Sequence, residues 1–385
     1  MLAPAYLDHN ATTPLDTRVL EAMLPFLRER CGNASSRHDY GRMARKALDE
    51  ARQQVAAAVG AHPTEVVFTS GGSEANNLLL KGAAASIGSA GAPLLAISAI
   101  EHPCVREPAR ELQRQGWRLH EIAVDETGRI LPDDYAATLV EQPRIVSVMM
   151  ANNETGVLFP VAEIAEIVKA NSNALFHVDG VNAAGKVPID LKNTEIDLFS
   201  ISAHKFHGPK GIGALYIREG VDLPPLLIGG GQESGKRAGT EAVHQIVGLG
   251  EAAKFASDFS KMELVRRLRD KLEDGIISSI PHTSLNGTAE ETRRLPNTSN
   301  LSFENTNGEM ILYRLDEAGI CVSTGSACNS GSHTASPVLQ AMNIPYSKAM
   351  GSIRFSLGRF NDEAEIDVVL GKLPEMIESL RAMAA

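Results

Sequence analysis

Asp197-Leu-Phe-Ser-Ile-Ser-Ala-His204-Lys205-Phe-His-Gly208 reads as an apolar strand that stops in a Ser-x-His-Lys turn closed by glycine and proline. A lysine at the end of a buried strand sits where burial lowers its pKa. There its amine can be neutral and can attack a carbonyl. A solvated loop charge is the plainer alternative for Lys205, so the surrounding chain has to decide.

Working outward, one theme recurs: an apolar strand, a polar tip, then a helix. Glu65–Thr69 leads into Ser70-Gly-Gly-Ser-Glu74 and a helix from Ala75. Pro93–Ser98 leads into Glu101-His102-Pro103. Arg144–Met150 leads into Asn152-Asn153-Glu154 and a helix from about Val161. Ala174–Val178 leads into Asp179-Gly-Val-Asn182, and Gly213–Ile217 completes the sheet. Alternating β and α units predict a mainly parallel sheet covered on both faces, with ligands bound beyond the carboxyl ends of its strands. Gly72 and Ser73, His102, Asn153, Asp179 and Lys205 are then expected around one crevice. Before these units, helices are expected from an Asp16 cap to Arg30 and from about Tyr40 to Val59.

After Thr240 a long helical region is expected to run towards Ile280. Leu264, Leu268 and Leu272 mark its apolar face, and Arg266, Arg267, Arg269 and Asp270 the other. A second α+β unit follows: strand Asn300–Phe303, helix Gly308–Glu317, strand Gly319–Ser323, a Gly/Ser-rich segment from Thr324 to Ser336, a short helix near Val338, strand Ser352–Ser356 and a helix capped by Asn361. The expected division is a large α/β domain over 15–255. A smaller α+β domain takes 1–14 and 256–385 and carries the loop at about 324–336.

Each tip admits a chemical and a structural reading. Ser70–Glu74 is a phosphate cradle at a helix N-terminus, or a tight turn with Ser73 as N-cap. It is neither a P-loop nor a Gly-x-Gly-x-x-Gly dinucleotide fingerprint. Asp179 can pair with a protonated pyridine nitrogen, as in pyridoxal phosphate, or be a buried structural aspartate. Asn182 can donate to such a ring's phenolate oxygen, or shape a turn. His102 can stack on a flat cofactor and move protons, or be a loop histidine. Ser202, His204 and Thr240 can reach a phosphate, and Thr240 can instead be an N-cap. Arg354, mid-strand, is costly to bury unless it meets a carboxylate, and a substrate α-carboxylate is its best functional partner.

The 385 residues suit two domains, with 43% hydrophobic residues for a core. A net charge of −10 argues against nucleic acid or an anionic membrane as main partner. No apolar run approaches the roughly 18 residues of a membrane span, and the N-terminus lacks a signal-peptide pattern. Cys31, Cys104, Cys321 and Cys328 are too few and scattered for a disulfide framework or a zinc site, so no metal and a reducing, cytoplasmic setting are expected. Cys328, on the Gly/Ser-rich segment, is either an accessible nucleophile or an incidental thiol. Cys104, near His102, is its main rival.

Taken together, the motifs resemble the pyridoxal-phosphate-dependent cysteine desulfurases of the class V aminotransferase family, the group serving iron–sulfur assembly and nitrogen fixation. The similarity covers Leu7-Asp-His-Asn-Ala-Thr-Thr-Pro, Thr69-Ser-Gly-Gly-Ser-Glu, Glu101-His-Pro, Asn152-Asn-Glu-Thr-Gly, His177-Val-Asp, Ala203-His-Lys, Arg237-Ala-Gly-Thr, Gly325-Ser-Ala-Cys and Ile353-Arg-Phe-Ser-Leu-Gly-Arg. It implies a homodimer of the aspartate-aminotransferase type of fold (type I) that converts L-cysteine to L-alanine and leaves a persulfide on the enzyme. By resemblance, Lys205 forms the Schiff base and moves protons, His102 stacks on the ring and relays protons, and Asp179 pairs with the pyridine nitrogen. Gly72, Ser73, Ser202 and His204 hold the phosphate, with Thr240 from the partner subunit. Asn153 and Arg354 bind the substrate carboxylate, and Cys328 becomes the persulfide that passes sulfur to an iron–sulfur scaffold or another acceptor protein. A selenocysteine lyase or another β-eliminating relative is the neighbouring alternative, and a catalytically silent sulfur-carrier scaffold the more distant one. The chain departs from the family pattern at Asn182 (usually Gln), Gly180 (Ala), Ser73 (Thr), Ala203 (Gly), His9 (Asn) and Gly331–Ser336.

Overall fold

Short runs of Val, Ile, Leu and Phe build a seven-stranded sheet whose successive side chains feed opposite cores. Val146, Phe176, Val178, Phe199 and Ile201 enter one cluster, while Ile145, Leu95, Ile97 and Leu198 enter the other. The computed structural model describes residues 5–324 and 334–384. Across the sheet the strands run Val66–Thr69, Gly213–Ile217, Leu198–Ser202, Leu175–Asp179, Ile145–Ser147, Leu94–Ser98 and Arg118–Ile122. All are parallel except Gly213–Ile217, which is antiparallel to both neighbours and lies inside the sheet rather than at its margin. The polar edge strand Arg118–Ile122 escapes sequence reading because it carries no apolar run.

Helices Gly72–Ile87 and Pro103–Arg114 pack together on one face. Thr17–Arg28, Asp39–Ala58 and Val243–Ala256 pack on the other. The long helical region expected after Thr240 is two helices, Val243–Ala256 and Met262–Ser279. Between them the Asp258 side chain accepts from the Ser260 N–H and forms a turn. Arg269, expected on the outer face, is 2% exposed, and its guanidinium donates to the Leu295 carbonyl.

A second, antiparallel sheet has Thr298–Phe303 between Ser352–Ser356 and Thr283–Leu285, and Ala5–Tyr6 pairs parallel with Ile320–Cys321. Leu268, Leu301, Phe303, Ile353, Phe355 and Leu373 form a separate core beneath it. Val338, Leu339 and Met342 instead join the core of the large sheet. The last helix, Glu363–Ala384, is capped by Asp362 rather than Asn361. Asp362 accepts from the Glu365 N–H, and Glu365 accepts from the Asp362 N–H, a reciprocal capping box. No helix of the described residues is long and apolar enough to cross a membrane.

Candidate active site

Because the strands ending at Thr69, Ser98, Ser147, Asp179 and Ser202 all point one way, their tips share one edge of the sheet. The Gly213 position brings two of them close. A Cβ there would lie 2.8 Å from the Gly71 Cα and 2.5 Å from the Ile201 carbonyl, so only glycine lets the two tips approach. Gly71 itself takes φ +149°, and a Cβ on it would lie 3.6 Å from Ser202 Oγ. Helix Gly72–Ile87 starts beside Ser202 with no side-chain cap, so its first N–H groups are open to an anion. Ser73 is exposed at that start.

Lys205 follows its strand on one 3₁₀ turn, Ala203–Lys205. Its ammonium donates to the backbone carbonyls of Asn10 (2.5 Å) and Ala11 (3.0 Å). The Asn10 amide donates to the Asn153 carbonyl at 3.1 Å, so the N-terminal lead-in joins two of the expected tips. His204 meets Thr12 Oγ1 at 3.2 Å. Burial, reinforced by Lys205, lowers its pKa to about 4, so it is neutral.

Asp179 is buried at its strand end. One carboxylate oxygen accepts from the Val181 N–H and the other from the Asn76 amide, both at 2.9 Å. The Gly180 that follows is dictated by packing. A Cβ there would lie 1.9 Å from Phe199 Cζ, in space the ring already fills.

His102 caps helix Pro103–Arg114 through its Nδ1, which accepts from the Cys104 N–H. Burial lowers its pKa, Lys205 and Arg106 push the same way, and Asp179 opposes them. Ser73 and His102 share the rim of an open groove of about 460 Å³. Cys104 lies against His102 and Asn76, and burial with the nearby Asp179 pushes its thiol pKa well up. It is a poor thiolate and a weak rival nucleophile.

Arg354 is 3% exposed and does meet a carboxylate, that of Asp8 at 2.6 Å, a partner sequence reading missed. It also donates to the Asn153 carbonyl at 3.0 Å, and its buried Nε has no partner among the described residues. Asn182 is buried, with its side-chain oxygen 3.2 Å and its backbone oxygen 2.8 Å from Lys186 Nζ. Lys186 was also missed, although its i,i+4 spacing from Asn182 could have flagged it. Burial, with Lys205 and Arg354 nearby, lowers its pKa to about 7.

Glu101 and Glu154 are further buried acids beside these tips that sequence reading assigned no role. Burial raises them to about 8 and about 7. Glu154 accepts a hydrogen bond from Ser336 Oγ. Thr240 is exposed, on a segment whose Arg237 pairs with Glu74 at 2.8 Å. Cys328 lies outside the described residues.

This donor set fits pyridoxal phosphate. An uncapped helix start beside two serines suits the phosphate, and a doubly anchored aspartate suits a protonated ring nitrogen. A lysine at the end of its strand, held by the Asn10 and Ala11 carbonyls, suits the aldehyde.

Residues 5–369 match the family model for aminotransferase class-V. A protein described as cysteine desulfurase 2 from Trichormus variabilis is 47% identical over 380 residues, covering 98% of this chain and 94% of that protein. A solved NifS-like protein superposes with a TM-score of 0.91 at 37% identity, covering 98% of this chain and 100% of its own. A protein named SspA, solved in complex with cysteine, gives 0.82 at 32% identity, over 93% of this chain and 99% of its own.

Proposed function

Since the chain belongs to the class-V aminotransferase family and is a pyridoxal-phosphate-dependent cysteine desulfurase of the NifS type, we propose how its own residues divide the work. Lys205 holds the cofactor, Asp179 keeps the proton on the ring nitrogen, and Asn182 donates to the ring oxygen. Gly72, Ser73, Ser202 and His204 receive the phosphate, and Thr240 reaches it from the partner subunit of a homodimer. When bound, the cofactor supplies the electron sink for chemistry next to the amino group. Arg354 and Asn153 take the substrate carboxylate, for which the Arg354 Nε, without a partner among the described residues, is a ready donor.

L-cysteine is the substrate, a reading supported by the relative solved with cysteine bound. Released from the cofactor, the Lys205 amine takes the α-proton of cysteine. His102, neutral because it is buried, accepts the thiol proton of the bound substrate at its imidazole. The Cys328 thiolate then attacks the substrate sulfur. The new S–S bond forms as the C–S bond breaks, its electron pair stays with carbon, and reprotonation by Lys205 and His102 gives L-alanine. The persulfide on Cys328 passes its outer sulfur to an acceptor protein such as an iron–sulfur scaffold. The division into 15–255 against 1–14 and 256–385 puts Lys205 in one unit and Cys328 in the other, and a cytoplasmic location suits the thiol chemistry.

The observation that carries this reading is the anchoring of Asp179 at the same sheet edge as Lys205, with Asn10 bridging Lys205 to Asn153. Alanine release from L-cysteine tests it. Lys205→Ala is expected to abolish turnover and the cofactor's bound absorption band. Cys328→Ala should keep the band but lose persulfide and alanine formation by two orders of magnitude or more, roughly the scale of losing a nucleophile. Full alanine production by Cys328→Ala would overturn the persulfide assignment. Equal turnover of selenocysteine by Cys328→Ala and the unaltered protein would favour a selenocysteine lyase.

A further inference from the structure

The His177-Val-Asp179 segment contains a histidine with no part in the scheme above. His177 is fully buried, and so are Ser147, Ser200 and Asn76. The four form one chain that ends on Asp179. Ser147 Oγ lies 2.8 Å from His177 Nδ1, and His177 Nε2 lies 3.4 Å from Ser200 Oγ. Ser200 Oγ donates to the Asn76 side-chain oxygen at 2.6 Å, and the Asn76 amide donates to Asp179 Oδ2 at 2.9 Å.

The direction of every bond follows from the last two. Ser200 spends its proton on Asn76, so its oxygen can only accept from His177. That places the imidazole proton on Nε2 and leaves Nδ1 to accept from Ser147. Burial lowers the His177 pKa to about 3, which agrees with a neutral ring carrying a single proton. The Asn76 oxygen is taken by Ser200, so its NH₂ group has to face the carboxylate. An amide free to rotate could turn its oxygen on Asp179 instead. A repelled carboxylate would then swing away.

A core assembled for stability alone gains little from four fully buried polar side chains where apolar ones of similar volume would pack. We infer that Asn76, oriented by Ser200 and His177, is a positioning residue that keeps Asp179 fixed as the acceptor for the proton on the cofactor's ring nitrogen. The inference rests on the role given to Asp179 above. The four residues touch neither substrate nor ring in this assignment, and their effect passes through one carboxylate.

The test uses protein loaded with pyridoxal phosphate labelled with ¹⁵N in the ring, reading the nitrogen's chemical shift and the cofactor's dissociation constant. Asn76→Leu keeps the volume and removes the donor. Its ring-nitrogen signal is expected to move towards the unprotonated position, and cofactor binding to weaken about tenfold, the scale of one hydrogen bond to a charged group. Ser200→Ala, which only unlocks the amide, is expected to shift the signal less and in the same direction, and it decides alone if Asn76→Leu does not fold. Asp179→Asn separates the two levels of the argument. If it leaves the nitrogen protonated, the role of Asp179 is wrong and the inference falls with it. If it shifts the signal while folded Asn76→Leu and Ser200→Ala leave both readouts unchanged, the role of Asp179 stands and the positioning role is overturned.

Discussion

At the scale of single residues, several departures from the family pattern are one half of a pair. Gly180 is required by Phe199, whose ring would meet any Cβ at 1.9 Å. His9 is matched by Gly358, where a Cβ would lie 2.2 Å from the imidazole. Ala203, fully buried, faces Gly208, where an added Cβ would come within 2.7 Å of its own. Gly180→Ala alone is therefore expected to destabilise the fold by about 1–3 kcal/mol through overpacking. It should also disturb the adjoining Asp179. Adding Phe199→Leu should recover most of the loss. Denaturation midpoints of the single and double variants check the coupling, and a stable single variant would refute it. Such pairs are invisible in a linear reading, because Gly180 and Phe199 meet only once their strands are side by side. The same is true of Arg354 and Asp8, 346 positions apart. The site's tips were legible because each follows a local apolar run. The groups that hold them, Asn76, Asp8, Ser200 and Lys186, carry no such signal.

At the scale of elements, the strands that line the site came through because burial on both faces makes them continuous apolar runs. The elements that were missed have physical reasons. Helix Pro103–Arg114 contains Pro103 and Pro108, which read as breaks, yet Pro103 stands in the first turn where no N–H is needed. The hinge between Val243–Ala256 and Met262–Ser279 was hidden because helical periodicity resumes after only a few residues. Arg269 was placed outward because charge usually marks solvent, whereas its guanidinium is held by the Leu295 carbonyl. Just beyond, Arg294 forms a two-pronged pair with Glu273, at 3.0 and 2.6 Å, and Ser299 also donates to that glutamate. This pair ties helix Met262–Ser279 to the central strand of the small sheet. Glu273→Ala strands the Arg294 charge in the core and is expected to cost about 3–5 kcal/mol. Replacing both, with Glu273→Leu and Arg294→Met, should cost far less. Urea unfolding of the two variants distinguishes a stranded charge from lost packing, since the latter would make the double variant the worse one.

At the scale of the whole molecule, the buried titratable groups set how stability depends on pH. His9, His177, His204 and His207 are held mainly by burial at about 3, 3, 4 and 4, against an ordinary value near 6.5. A depressed pKa contributes stability that is present above the unfolded value and lost as pH falls through the folded one. Glu101 and Glu154, raised by burial to about 8 and 7, act in the opposite sense, favouring the folded state below their unfolded values and losing that contribution as pH rises through 7 to 8. Between about pH 4.5 and 6.5, four histidines take up protons on unfolding while two glutamates release them. The net uptake is about two protons, so stability should fall on acidification by roughly 2.7 kcal/mol per pH unit. Below about pH 4.5 the glutamates are protonated in both states and drop out. The histidines then act alone, and the decline should steepen until His204 and His207 charge within the fold near pH 4, with His9 and His177 following near pH 3. Above pH 7, Lys186, neutral in the fold at a pKa of about 7 and charged when unfolded, gains stability with pH and offsets the remaining loss from Glu101. The curve should therefore climb through pH 5 to 6.5 and flatten near neutrality. Thermal melting from pH 4 to 8 measures it, and His177→Gln should soften the acid limb by about one proton's slope. A melting temperature independent of pH between 4.5 and 6.5 would mean that these histidines are hydrated and charged inside the fold.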